Sequence, residues 1–222
     1  MEPQYHITQL NEHAVLISLG NVIDREINKK IISLHDQLRL NPFDGFIESV
    51  PAYSSLAVYH CSRFSVVKNE LDKTMEKLHS GNAHKSKLLH VPVLYDGEDL
   101  AYVAQHHRLR LEDVATLHCS LIYQVFMIGF LPGFPYLGKV DDRIATPRKD
   151  TPRSKVPAGS VGIAGFQTGI YPQSSPGGWQ LIGRTPLKIF NTSKEQPCLF
   201  SAGDEVKFFQ VSKSEFDSLN EY

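Results

Sequence analysis

The chain has 222 residues, 41% of them hydrophobic and 21% charged, with 23 basic and 24 acidic side chains and a formal net charge of −1. That length fits one or two domains, and the composition is ordinary for a globular protein, which excludes disorder, collagen and coiled coil as readings of the whole. Near-neutral charge argues against a dedicated nucleic-acid binder. Three scattered cysteines, Cys61, Cys119 and Cys198, point away from a disulfide framework and toward a reducing compartment.

The N-terminus carries no basic patch followed by an apolar run, so no secretory leader is expected. Alternation predicts strands over Tyr5–Gln9 and Ala14–Leu19. Ile27, Ile31, Leu34 and Leu38, spaced four, three and four apart, predict an amphipathic helix over Asp24 to Leu40, stopped by Asn41-Pro42. Short strands are expected over Phe46–Tyr53 and Leu56–Cys61. A second helix is expected over Ser65 to His79, with Val67, Leu71, Met75 and Leu78 on one face and Ser65 as N-cap. Leu88–Tyr95 completes a βαββαβ order, the ferredoxin-like pattern. The polar stretch Ser80 to Lys87 separates a small N-terminal α/β domain (1–86) from a second domain (87–222).

The second part opens with helical stretches at Asp99–His107 and Leu111–Cys119. As a helix-turn-helix the pair is unconvincing, because Leu111 to Cys119 holds Glu112 and Asp113 and no Lys or Arg. His106, His107 and His118 lack the spacing of a metal site, so no metal is expected. Val114 to Gly138 is uncharged, but its longest apolar run would reach about 10 Å as a helix against a bilayer core of ~30 Å, so no membrane span is expected. Strands are predicted over Ile122–Phe130, Gly159–Ala164, Trp179–Ile182, Leu187–Phe190 and Glu205–Gln210, an all-β unit of closed or sandwich type. Ser214–Tyr222 reads as a last helical turn.

Residues 129 to 186 hold 10 of the 15 glycines and 8 of the 13 prolines, while all ten histidines lie at or before His118. No phosphate loop, dinucleotide fingerprint or nucleophile elbow appears. What the glycine- and proline-rich stretch offers is polar and aromatic groups on rigid turns. Arg143 to Lys155 has five basic residues and one acid, with two Thr-Pro-Arg triplets. Arg148, Arg153 and Arg184 make a candidate forked clamp for a carboxylate or phosphate, and Gly177-Gly178 a candidate source of backbone N–H groups for an anion. The alternative is that these glycines and prolines shape turns and the basic residues are solvated.

GFLPGFPYLG (129–138), the run TPR…TPR…VPAGSVGIAG (146–165), QTGIYP (167–172) and SSPGGWQLIGRTP (174–186) together resemble the KipI family. That family is also called allophanate hydrolase subunit 1, or the B-type subunit of 5-oxoprolinase. Phe166 and Leu94 depart from the family pattern. The resemblance implies an α+β chain: a small N-terminal ferredoxin-like α/β domain followed by a cyclophilin-like β-barrel domain. It also implies a cytoplasmic, non-autonomous subunit of an ATP-dependent 5-oxoprolinase, opening pyroglutamate to glutamate with a KipA-like sister subunit and a LamB/YcsF-like subunit. ATP is expected on the complex, and the substrate is a small lactam or amide. The alternative implied by one branch is inhibition of a sensor histidine kinase by direct binding. Within the matching motifs, His118, Arg148, Arg153, Gln167, Thr168, Tyr171, Trp179 and Arg184 are the expected substrate-binding residues.

Overall fold

A computed structural model describes residues 5–78 and 86–220. The chain divides into two compact units, Met1–Lys85 and Ser86–Tyr222. Most of the expected linker, residues 80–85, lies outside the described residues.

In the first unit β1 (His6–Asn11) and β2 (Ala14–Ser18) form an antiparallel pair, followed by α1 (Arg25–Leu40), β3 (Phe46–Pro51), β4 (Ser55–His60) and α2 (Phe64–Glu76). Asp24 caps α1, its carboxylate accepting the Glu26 and Ile27 N–H groups at 2.9 Å. The helix buries Ile31, Leu34 and Leu38 against Val15, Ile17, Leu56 and Val58 of the sheet and Val67 and Leu71 of α2. Each such side chain contributes about 1.5–3 kcal/mol. Ser65 is not the cap of α2; Arg63 holds that position with no side-chain bond, and Ser65 lies inside the first turn.

The sheet order is β1-β2-β4-β3, all antiparallel. The last element of the expected βαββαβ series, its fourth strand β5 (Leu88–Val93), is not in this sheet; it pairs in parallel with a strand of the second unit. Its place beside β2 is taken by β1, which reaches it through a short connection.

The second unit continues with α3 (Leu100–His107), α4 (Leu111–Ser120), β6 (Ile122–Ile128), β7 (Pro135–Gly138), a 3₁₀ turn, β8 (Arg153–Val156), β9 (Ser160–Ala164) and β10 (Gln167–Ile170). β11 (Ser175–Gly177), β12 (Gln180–Arg184), β13 (Glu205–Gln210) and α5 (Lys213–Asn220) complete it. Seven strands form one sheet in the order β12-β9-β10-β7-β6-β13-β5. Just past β5, Leu94 and Arg184 exchange two backbone hydrogen bonds of 2.9 Å, so the sheet curls until its edges meet. Gly183 lets them meet: a Cβ there would lie 2.6 Å from the Leu94 carbonyl oxygen.

Val91, Val125, Leu137, Val161, Ile163, Val206 and Phe208 fill the curled sheet, and Val103 of α3 and Val114 of α4 are buried among them. The helix pair thus packs on a sheet through its apolar face. Leu187–Phe190 forms no strand beyond an isolated bridge from Phe190 to Cys198, whereas β7, β8, β10 and β11 arise within turn-rich sequence.

Candidate functional site

A second apolar cluster is built from Phe134, Val156, Tyr171, Trp179 and Leu181, with Tyr136 and Leu131 against it. Its rings pack edge-on: Phe134 lies 5.3 Å from Trp179 and 5.2 Å from Tyr171, and Tyr136 lies 5.8 Å from Trp179. The wall needs Gly177, since a Cβ there would collide with the Tyr171 hydroxyl.

A groove of about 690 Å³ opens over these rings. Phe130, Tyr136, Tyr171 and Trp179 give its aromatic sides. Pro147, Pro152, Pro176 and Gly177-Gly178 give its rim, and Arg148 and Gln167 its polar side chains. Burial raises the hydroxyl pKa of Tyr136 and Tyr171, and the charge of Arg148, which lines the same groove, opposes the rise at both.

The backbone around Arg148 is tied down on three sides. Gly165 N–H bonds the Thr146 carbonyl at 2.7 Å, the Gln180 side-chain amide bonds the Pro147 carbonyl at 2.8 Å, and Lys149 N–H bonds the Gly178 carbonyl at 2.7 Å. The Arg148 side chain is exposed and, among the described residues, has no hydrogen-bond or ion-pair partner. A fixed backbone carrying an uncommitted guanidinium is ready for a carboxylate.

The other two arginines are committed. Arg153, its side chain only 16% exposed, reaches both oxygens of the buried Asp99 at 2.6 Å, Glu98 at 3.1 Å and the Trp179 carbonyl at 3.4 Å. Lys149 joins the same carboxylate at 3.3 Å, and Leu181 N–H donates to it at 2.7 Å. Arg184 pairs with Asp96 at 2.7 Å and lies 4.8 Å from the Phe216 ring, and it does not line the groove. The three-arginine clamp expected from the sequence is therefore not formed: carboxylates remote in sequence neutralise two of its members.

Gln167 and Thr168 also part company. Successive strand residues point to opposite faces, so Gln167 meets the groove while Thr168 is fully buried inside the curled sheet. There it meets His118, likewise fully buried. Thr168 Oγ1 donates to the Gly162 carbonyl at 3.0 Å and so accepts from His118 Nε2–H at 2.8 Å. His118 Nδ1 is then an acceptor, taking the Tyr95 hydroxyl proton at 2.7 Å, and the Cys119 thiol, 3.1 Å away, donates to that oxygen. Burial holds His118 neutral, with its pKa pushed down to about 3, and drives the Tyr95 hydroxyl well above its ordinary value. These proton positions form a closed structural chain, and His118 and Thr168 do not face the groove.

Of the expected residues, Arg148, Gln167, Tyr171 and Trp179 meet at the groove; His118, Arg153, Thr168 and Arg184 do not line it. Sequence reasoning passed over Phe130 and Tyr136, whose signal was present as aromatics interleaved with Gly and Pro in residues 129–138. Among the described residues, no group of three or more His, Cys, Asp or Glu is placed to hold a metal ion. No helix among them is long and apolar enough to cross a membrane.

The family model for the carboxyltransferase domain, subdomain C and D, matches residues 5–200. The chain is similar to the B-type subunit of 5-oxoprolinase from Bacillus subtilis (strain 168), 40% identical over 237 aligned residues that cover 100% of this chain and 99% of that one. It is also similar to the Haemophilus influenzae protein of the same name, 40% identical with 91% and 96% covered. Among solved structures, TTHA0988 superposes with a TM-score of 0.81 at 37% identity, over 90% of this chain and 40% of that one. The Kluyveromyces lactis urea amidolyase superposes with a TM-score of 0.79 over 99% of this chain and 15% of that one, a likeness of fold at 20% identity.

Proposed function

The chain belongs to the carboxyltransferase-domain family of subdomains C and D, and from that premise we propose that it is the B-type subunit of a 5-oxoprolinase, a complex that opens the lactam of pyroglutamate to glutamate. Identity of 40% over essentially the whole of both chains supports the subunit reading. The observation that carries the chemistry is Arg148: an uncommitted guanidinium on fixed backbone, beside Gln167 at an aromatic wall. A five-membered lactam is a flat amide bearing one carboxylate. Arg148 takes the carboxylate as a bidentate pair, Gln167 exchanges hydrogen bonds with the lactam amide, and Tyr171 and Trp179 supply the apolar face against which the ring lies.

The residues lining this groove do not fit a triphosphate. Lys149 and Arg153 are bound to Asp99 and Arg184 to Asp96, so among the described residues Arg148 is the one arginine at the groove for at least three phosphate charges. We therefore assign ATP to the sister subunits, KipA-like and LamB/YcsF-like. The need for sisters is supported by TTHA0988, in which the matching region is 40% of a longer chain. In the same reading the second unit is a cyclophilin-like barrel. The first is a ferredoxin-like scaffold whose edge strand β1 stands where the last strand of that pattern would.

The test is reconstitution. 5-oxoproline-dependent ATP hydrolysis should require this chain together with the two sister subunits and be absent from the chain alone. Full turnover by the sisters without it would end the proposal.

A further inference from the structure

We propose that Phe130 is a specificity-determining residue, a ring held out at the groove's rim by strained backbone so that it covers the bound lactam; the proposal rests on the groove being the substrate site. Phe130 has φ +61°, in the left-handed region where a bulky side chain is an outlier. Leu131 N–H bonds the Gly129 carbonyl at 2.6 Å, so 129–131 form a γ-turn centred on Phe130, of the rare and strained hand. The loop has glycines at 129 and 133, the latter at φ +84°, yet phenylalanine stands at the turn's centre, where glycine would be unstrained.

Burial does not explain the choice, because the residue is 60% exposed. Its ring meets Phe134 at 5.6 Å and Tyr171 at 6.4 Å, standing at 89° to both. Those are two rings of the wall, so Phe130 rises from it at the mouth of the groove. A flat amide lying on the wall with its carboxylate on Arg148 then has Phe130 between it and solvent. The ring gains aromatic contact with the ligand and keeps water from the ion pair, which strengthens it. Strain at a ligand-facing position persists when the surrounding structure over-determines it and function uses it. Here the same turn that costs the free protein stability sets the ring.

The experiment takes Phe130→Gly, Phe130→Ala and Phe130→Tyr in the complex reconstituted with both sister subunits, with a thermal melt of each isolated chain. Phe130→Ala and Phe130→Gly should raise the KM for 5-oxoproline roughly three- to ten-fold with kcat within about two-fold, as expected for loss of one aromatic contact. Phe130→Tyr should keep the wild-type KM. Phe130→Gly should melt no lower than wild type, because relief of the left-handed strain outweighs the added chain freedom of glycine. Unchanged KM in Phe130→Ala overturns the proposal, as does a drop in melting temperature without a KM effect, which would make the ring a packing residue. Loss of co-elution with the sister subunits overturns it too, by assigning the ring to an interface. A wild-type complex without 5-oxoproline turnover overturns this inference and the functional reading together; a normal wild type with an indifferent Phe130→Ala overturns this inference alone.

Discussion

Asp99→Asn separates a structural arginine from a ligand-binding one. The Asp99 carboxylate, 7% exposed, is the point at which Arg153, Lys149 and the Leu181 N–H converge. Asparagine keeps an acceptor for Leu181 but leaves the guanidinium of Arg153, 16% exposed, without its charge partner. Removing one member of a buried pair costs about 3–5 kcal/mol. Glu98 remains at 3.1 Å but is 70% exposed, and such a contact offsets at most ~1 kcal/mol. The expected loss is therefore ~3 kcal/mol, or about 10 °C in melting temperature for a unit of this size. Trp179 is the sole tryptophan, is 8% exposed, and its carbonyl accepts from Arg153, so its fluorescence reports the melting of the second unit. The double variant Asp99→Asn/Arg153→Met should cost clearly less than the sum of its single changes, since no charge is then left buried alone. A loss below ~1 kcal/mol for Asp99→Asn, or additive single changes, would refute the assignment and return Arg153 to the ligand.

Two further outcomes follow from the same geometry. Below the ordinary imidazole pKa of ~6.5 the unfolded chain binds a proton that folded His118 refuses until its pKa of about 3, so stability falls as pH falls through that window, by ~1.4 kcal/mol per unit from this group. His118→Gln should be less stable than wild type at pH 7.5 yet lose less on going to pH 5; identical slopes in urea melts at the two pH values would contradict a buried neutral imidazole. Arg184→Ala should leave the KM for 5-oxoproline unchanged and lower stability by less than ~1 kcal/mol, because its pair with Asp96 is half exposed. A large KM effect there would restore the arginine clamp.

What the sequence made legible was local. The faces of α1 and α2 could be read because Ile31, Leu34, Leu38, Val67 and Leu71 recur at the helical period, and each is buried. The groove's aromatics and Arg148 could be found as a region because Gly and Pro mark the turns that carry them. Partner choice was not legible, since it is made between residues far apart. Arg153 lies 54 positions from Asp99 and Arg184 88 positions from Asp96, and nothing in either segment announces the other. The placement of β5 failed for the same reason: an alternating strand says which face it buries but not which sheet it joins, and β1 was the nearer neighbour for β2. Gln167 and Thr168 stood together in one motif, and only strand alternation, applied once β10 was known, separates a groove residue from a core residue. Phe130 was hidden because a positive φ at phenylalanine runs against every local preference.

The most direct measurement of the central claim, that the groove at Arg148 holds the substrate carboxylate, is the KM for 5-oxoproline of the reconstituted complex carrying Arg148→Ala or Arg148→Lys. The guanidinium is exposed and has no partner among the described residues, so both chains should melt as wild type does. Loss of the charge-assisted bonds should raise KM roughly ten- to a hundred-fold for alanine. Lysine should recover only part of that, because a point charge does not reproduce the two-toothed contact. A wild-type KM in Arg148→Ala, with the complex intact and turning over, would contradict the account.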